Sequence, residues 1–265
     1  MAVVFKNRSL PKHYQALGFV FPAVLLIAWQ FFSYNKKTLL GPPGDSILAL
    51  WNIIRDGTAL KLLATSMERV IKGFLIGTAI GLSIGVLMGS SKTGEKMMSA
   101  SFHGLRQVPM VAWVPLIMMW FGKAGMAQVV FISWSAFYPV ALNTYDGIRG
   151  IPGKYLEVGR VYEYTRWQTV KKIIIPAALP SIKTGTILSL NMAWTLLVAA
   201  EIMTSEPSGG LGDLLSEGRE TFNIPMLISG MLIMGCVGYM LNQAAEAVWG
   251  FVLKNRPDII KQGGA

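Results

Sequence analysis

Residues 66–89 read SMERVIKGFLIGTAIGLSIGVLMG. Beyond Lys72 the stretch carries no charge, and at 1.5 Å per residue a helix of this length spans about 36 Å. That exceeds the ~30 Å hydrocarbon core of a bilayer, so the stretch predicts a membrane-crossing helix. Within it Gly73, Gly77, Gly81, Gly85 and Gly89 recur at every fourth position. On a helix this spacing makes a slowly turning groove without side chains. Another backbone can approach there, and van der Waals packing takes the place of the missing hydrophobic drive. The groove predicts a helix buried in a bundle, packed within the chain rather than between subunits.

The remaining residues agree. Of 265 residues, 52% are hydrophobic and 14% charged, against about 25% charged in an ordinary soluble domain. A soluble enzyme and a disordered chain are both excluded. The net charge of +10 sits in short segments between apolar runs. That is a pattern of membrane topology rather than of a phosphate-binding face, so no nucleic-acid partner is expected. The single cysteine, Cys236, excludes a disulfide within the chain, and with only His13 and His103 beside it no metal site is expected. Cys236 itself reads as a small buried apolar residue, and the methionines read as core or lipid-facing filler.

Six spans follow from the apolar runs, at about residues 16–32, 66–89, 105–121, 126–145, 182–203 and 226–252. No small-x-small cleavage site follows the first, which has Phe31, Phe32, Ser33 and Tyr34 there, so it reads as an uncleaved span rather than a signal peptide. Gly41-Pro42-Pro43-Gly44 breaks the chain. Asp45 or Ser46 then caps a short amphipathic helix through Trp51 and Ile54, expected at the outer surface. Pro109 and Pro115 interrupt the third span and free backbone carbonyls that neighbours or water must satisfy. With an inside N-terminus, sixteen of the 24 basic residues fall on the inner side, from Lys6, Arg8 and Lys12 to Lys254, Arg256 and Lys261. The outer loop at 204–223, with Pro207 and Gly209, holds Arg219 against Glu206, Asp213, Glu217 and Glu220. The positive-inside rule therefore puts both termini in the cytoplasm.

The longest inner loop, residues 152–180, reads PGKYLEVGRVYEYTRWQTVKKIIIPAALP. Pro152 suits a first helical turn, and Tyr155, Val158, Val161 and Tyr162 give one short amphipathic helix. A second is expected over 167–174, ending before Pro176. By pattern alone this hairpin is either a docking element or a solvated basic loop.

The same loop resembles the EAA motif of permease subunits of binding-protein-dependent ABC importers. Glu157-Val158-Gly159 takes the Glu-Ala-Ala place, Glu163 the glycine place, and Ile173-Ile174-Ile175-Pro176 the closing Ile-x-Leu-Pro. Val158, Gly159 and Glu163 depart from the motif, and the glycine replaced by Glu163 is the one that permits the turn between the two helices. The resemblance continues through Ser66-Met67-Glu68-Arg69-Val70, Gln107-Val108-Pro109, Trp113-Val114-Pro115, Trp120-Phe121-Gly122, Pro176-Ala177-Ala178-Leu179-Pro180, Ala193-Trp194, Val198-Ala199-Ala200-Glu201 and Gly210-Leu211-Gly212. It covers about residues 40–250 and is similar to the branch of sulfonate, taurine, nitrate and bicarbonate permeases.

This resemblance implies an all-α membrane protein with the type I ABC importer permease fold, one transmembrane domain over 1–265, in a bacterial inner membrane. It implies a coupling hairpin at about 148–180 and periplasmic loops at about 34–64 and 204–224. Glu157, Val158, Gly159, Glu163, Ile173 and Pro176 would couple to the ATPase. The implied partners are two ATPase subunits, a periplasmic binding protein and a second permease copy, most simply in a homodimer surrounded by lipid. ATP and Mg would lie on the ATPase subunits and no cofactor on this chain. The nearest Walker-like stretch, Gly89-Ser90-Ser91-Lys92-Thr93, has Ser91 and Val86 where the phosphate loop needs glycine. Alternating access would carry a small anion, as in the branch, with a neutral vitamin precursor or an ATP-independent carrier as alternatives.

For the pathway, Asn191, Trp194 and Thr195 share one face of the fifth span, and Gln107 lies nearer the cytoplasm. Such neutral groups would pass an oxyanion by hydrogen bonding without trapping it; interhelical packing is the alternative. Glu201, ionisable within a span, either gates the pathway or contacts the binding protein, or else pairs with a nearby base. Glu68 and Arg69 pair with each other or with Glu201. Asn242, Gln243 and Glu246 in the last span read as structural.

Overall fold

The computed structural model describes residues 20, 24–33, 41–122, 124–203 and 208–254. Lys6, Arg8, Lys12, His13, residues 16–19 and 21–23 of the expected first span, Tyr34, Glu206, Pro207, Arg256 and Lys261 lie outside these residues, as does the side chain of His103. All regular structure among the described residues is helical. The short α1 (Val24–Ser33) is followed by α2 (Pro43–Arg55), α3 (Thr58–Ser90) and α4 (Lys92–Arg106). A 3-10 turn (Met110–Trp113), α5 (Val114–Phe121) and α6 (Ala124–Arg149) come next. The rest comprises α7 (Gly153–Val161), α8 (Arg166–Thr169), a π-turn (Val170–Ile174), α9 (Ile175–Ile202), α10 (Gly212–Glu220) and α11 (Ile224–Lys254).

Four helices are long and apolar enough to cross a membrane, and the bent pair around the 3-10 turn makes up to five. The expected sixth, the first in chain order, is described only from Val24 to Ser33.

The glycine groove organises the bundle. A Cβ at Gly73 would lie 2.6 Å from Ile132, one at Gly81 2.7 Å from the Phe137 carbonyl, one at Gly85 2.6 Å from Thr144, and one at Gly89 2.8 Å from Ile148. Rising numbers on α3 meet rising numbers on α6, so the two helices run parallel with backbones nearly touching. The small residues let dispersion act over the whole seam. Against α6, α9 runs the other way: Gly147 abuts Ser181, and Gly185 abuts Pro139 and Asn143. Pro139 interrupts the α6 ladder, and Ser189 of α9 donates to the Ala136 carbonyl at 2.8 Å. The hydroxyl of Ser189 thus finds its acceptor on the neighbouring helix. α11 is antiparallel to α9, with Trp194 Nε1 donating to the Met234 carbonyl and Trp249 Nε1 to Thr186 Oγ1. One end of the bundle therefore gathers Arg149, Lys183 and Lys254, and the other gathers the start of α3 and the end of α9.

Several expected boundaries are corrected. α3 starts two turns earlier than expected, after Gly57 in a left-handed conformation. Neither Asp45 nor Ser46 caps α2: its N-cap is Pro42, and Ser46 is buried, its carbonyl accepting from Ser229 Oγ at 2.8 Å. α4 fills most of the stretch between the expected second and third spans, and Ser91 caps it by accepting from the Gly94 N–H at 3.2 Å. The second hairpin helix does not end before Pro176. Helical backbone runs from Arg166 to Ile202, because the π-turn widens the helix just before the proline. Ile175 N–H reaches back to Val170 O, which makes room for a ring that would otherwise clash with the preceding turn. Cys236 is exposed rather than buried, facing an apolar groove between α2, α3 and α11.

The seam predicts a sharp asymmetry between glycines. Gly77→Ala drives a methyl into the Ser133 carbonyl and to 2.8 Å from Ala136 Cβ, and overpacking of this kind costs about 1–3 kcal/mol. Gly235→Ala on α11 meets nothing within 4 Å. The thermal midpoint of the detergent-purified protein is expected to fall for the first variant and to hold for the second.

Candidate functional site

The hairpin between α6 and α9 stands at the basic end of the bundle. α7 begins after Pro152 and ends in a complete Schellman closure, with Tyr164 N–H on the Gly159 carbonyl at 2.9 Å and Glu163 N–H on the Arg160 carbonyl at 3.0 Å. This closure requires a left-handed residue at the first position past the helix, normally glycine. Here it is Glu163, at φ +51°. The replacement noted in the sequence thus leaves the turn intact and puts a charged side chain on it. Thr165 then caps α8 in a reciprocal capping box with Gln168.

The sequence-predicted hairpin residues divide into two groups. Gly159 is buried, with Ile173 Cδ1 2.9 Å from where its Cβ would be. Its small size lets α7 lie against the π-turn. Val158, Ile173 and Pro176 line a cleft of about 780 Å³ between α7, the inner end of α6 and α9, together with Asp146, Lys154, Tyr155 and Lys172. Glu157 and Glu163 point outward and are exposed, as are Val161 (80%) and Trp167 (71%). Large apolar groups thus stand exposed beside carboxylates on one hairpin.

The pathway candidates also divide. Asn191 and Thr195 are exposed on α9, in line with Leu188 and Met192, and Asn191 donates to Asn242 Oδ1 at 3.3 Å. Gln107 is exposed at the break between α4 and α5. Trp194 is buried and its N–H serves the Met234 carbonyl, so it does not share the Asn191–Thr195 face.

Glu201 is fully buried at the opposite end and has many partners. Its carboxylate accepts from Arg69 Nη1 at 2.9 Å, Ser66 Oγ at 2.8 Å and the Gly212 N–H at 2.8 Å. Arg69 also donates to the Ser208 carbonyl, and Leu211 N–H donates to Ser66 Oγ at 2.8 Å. Asp213 closes the loop on itself through Ser208 and Gly209. Of the alternatives raised for Glu201, this is the paired one, while Glu68 pairs with Lys72 at 2.5 Å. Ser66, Ser208 and Gly212 were missed as members of the site. The signal was present in Gly210-Leu211-Gly212, since any Cβ at Gly212 would collide with Glu201. At the basic end, Glu95 accepts from Tyr145 at 2.7 Å and pairs with Arg149 at 3.1 Å, and Lys183 pairs with Glu246 at 2.6 Å.

Residues 77–251 match the model of the family described as binding-protein-dependent transport system inner membrane component. The putative aliphatic sulfonates transport permease protein SsuC of Bacillus subtilis is 36% identical over 242 residues, 90% of this chain and 87% of that one. The bicarbonate transport system permease protein CmpB of Synechococcus elongatus is 30% identical over 87% of this chain and 86% of its own. The nitrate import permease protein NrtB of Leptolyngbya laminosa is 29% identical over 93% and 87%. Among solved structures, an inward-facing MetNI methionine ABC transporter aligns with a TM-score of 0.62 at 20% identity, covering 74% of this chain and 96% of that one. That likeness establishes the fold.

Two outcomes test the geometry. Glu201→Ala leaves Arg69 buried without its counter-charge, which costs about 3–5 kcal/mol, so the thermal midpoint falls steeply. Arg69→Met combined with Glu201→Met removes both charges and recovers most of the loss. At the hairpin, Glu163→Gly relieves a left-handed side chain costing about 1 kcal/mol and raises the midpoint slightly.

Proposed function

The chain belongs to the family of binding-protein-dependent transport system inner membrane components, and from that premise we propose that it forms the membrane pathway of an ATP-driven importer for a small anion. It is a multi-pass permease subunit, and in this family ATP hydrolysis resides in separate nucleotide-binding subunits. The observation that carries the proposal is the hairpin: a turn-closed pair of helices at the basic end, rooted in a 37-residue helical body that crosses the membrane. Its exposed Glu157, Val158 and Glu163 meet an ATPase, while Gly159, Ile173 and Pro176 hold it to α9. Because α8, the π-turn and α9 are continuous, a push on the hairpin moves a whole span. Closure of the two ATPase subunits on ATP then switches the pathway between outward- and inward-facing arrangements.

The uncovered face of α9 bearing Asn191 and Thr195, with Gln107 at the break, supplies the polar lining. In a span such groups favour a water-filled route or a second chain over lipid. A homodimer supplies that second chain and matches a pair of ATPases. Glu201 acts from the periplasmic end by holding the loop at Ser208 to Gly212 in place for a binding protein, rather than by touching the solute, and Trp194 supports the pathway by fixing α11 to α9. The N- and C-termini lie in the cytoplasm of a bacterium, and the membrane is its inner one. The anion is assigned from relatives named for sulfonates, bicarbonate and nitrate.

The test is the ATPase activity of the importer reconstituted with its binding protein, over a panel of taurine, an alkanesulfonate, nitrate, bicarbonate, a pyrimidine vitamin precursor and riboflavin. Stimulation by one anion is expected; stimulation by a neutral heterocycle alone keeps the importer and overturns the anion. Glu157→Arg is expected to abolish ATP-driven uptake while the protein remains in the membrane at normal levels. Normal transport by that variant removes the hairpin from its coupling role.

A further inference from the structure

Glu163 strains the hairpin turn without supporting it. The Schellman closure that ends α7 needs a left-handed residue, and glycine meets that need with no side chain to clash. A glutamate at φ +51° carries the clash. The hydrogen bonds that close the turn run to main-chain carbonyls and to Gln168. Glu163 and Tyr164 donate their N–H groups to the Arg160 and Gly159 carbonyls, and Thr165 N–H donates to Gln168 Oε1 at 2.9 Å. The carboxylate takes part in none of these.

The surrounding charges make its position more telling. The hairpin carries Lys154, Arg160, Arg166, Lys171 and Lys172 against Glu157 and Glu163. Among so many cations a carboxylate is expected to find a partner within its own chain. Glu163 is exposed and belongs to none of the ion pairs among the described residues. Lys172 stands instead over the Tyr164 ring, 4.5 Å from its centroid. Tyr162 and Tyr164, which flank Glu163, stack on each other at 5.8 Å. The result is a negative group fixed on a closed turn of a basic hairpin, with Val161, Tyr162 and Trp167 exposed around it in the chain.

A strained residue that gives its own fold nothing points to a role outside that fold. The hairpin is the part that the importer reading assigns to the ATPase, and opposite charges across a contact decide which partner fits more than how tightly it binds. We propose that Glu163 selects the ATPase: its carboxylate pairs with an arginine or lysine on the ATPase surface that receives the hairpin, and an ATPase with a neutral or acidic residue there is rejected. The inference rests on the importer reading above and adds the chemistry by which the hairpin chooses its partner. Arginine is the better match, because its planar fork engages both carboxylate oxygens. The exposed Val161, Tyr162 and Trp167 exclude water from the pair once the surfaces meet, which strengthens it.

The test is the affinity of the detergent-purified permease for the ATPase subunit of the same importer, at low and at high salt, beside the thermal midpoint of each variant. Glu163→Gln keeps the left-handed side chain and removes its charge, while Glu163→Gly removes both. Phe222, at φ +53°, closes α10 in the same way at the other end of the bundle, so Phe222→Gly relieves a matching strain and serves as the control. Both Glu163 variants are expected to bind about tenfold more weakly at low salt, the effect of losing one charge-assisted hydrogen bond. The gap narrows at high salt, where screening weakens the wild-type pair. Glu163→Gly shows this loss with a raised midpoint, which a merely structural role does not allow. Phe222→Gly raises the midpoint and binds as the wild type does. Glu163→Lys is expected to lose the ATPase, and exchange of one basic residue of the ATPase for Glu restores it; rescue by no such exchange overturns the pairing. Wild-type affinity of Glu163→Gln at low salt also overturns it, as does a loss of affinity matched by a fall in midpoint. The importer reading fails separately, through normal transport by Glu157→Arg. An inactive Glu157→Arg beside a Glu163→Gln of wild-type affinity overturns the selection alone.

Discussion

α3 and α6 approach so closely that side chains are excluded from the seam, and the rest of the bundle is arranged around that contact. In a bilayer there is no difference in hydrophobicity between a neighbouring helix and lipid, so association must come from contact area and from satisfied polar groups. Five glycines on α3 provide the area. With the parallel pair in place, α9 closes on α6 through Gly147 and Gly185, and α11 closes on α9 through the indoles of Trp194 and Trp249. The hydrogen bonds that cross between these spans give buried donors, the hydroxyl of Ser189 and the indoles of Trp194 and Trp249, an acceptor on the next helix.

The two ends of the bundle meet different demands. At the end away from the hairpin a buried ion pair, Arg69 with Glu201, would cost more in desolvation than it returns if left as a bare pair. Ser66, the Ser208 carbonyl and the Gly212 N–H complete its shell, and the shell ties the loop before α10 to α3 and α9. At the basic end the hairpin is closed by backbone geometry instead. Its Schellman closure at Glu163 has a counterpart at the other end of the bundle at Phe222, which ends α10 at φ +53° and is 85% exposed. In both places a side chain occupies a conformation suited to glycine and points into solvent at a loop tip.

Much was readable from the residues alone. Apolar run length gave the spans, because a bilayer sets a minimum length for any helix that crosses it. The four-residue glycine spacing marked the seam, because 3.6 residues per turn bring such positions onto one face. Charge placement set the expected orientation, and the motif around Glu157 pointed to the family. Folding in three dimensions decided the rest. Whether Glu201 met Arg69 or solute depended on two helices far apart in sequence. The helix passing through Pro176 depended on a π-turn that no propensity announces, and the course of α4 depended on packing against α3. Trp194 became structural for a reason no sequence shows, since an indole looks the same in any chain; only the carbonyl that reaches it, here that of Met234, decides its role.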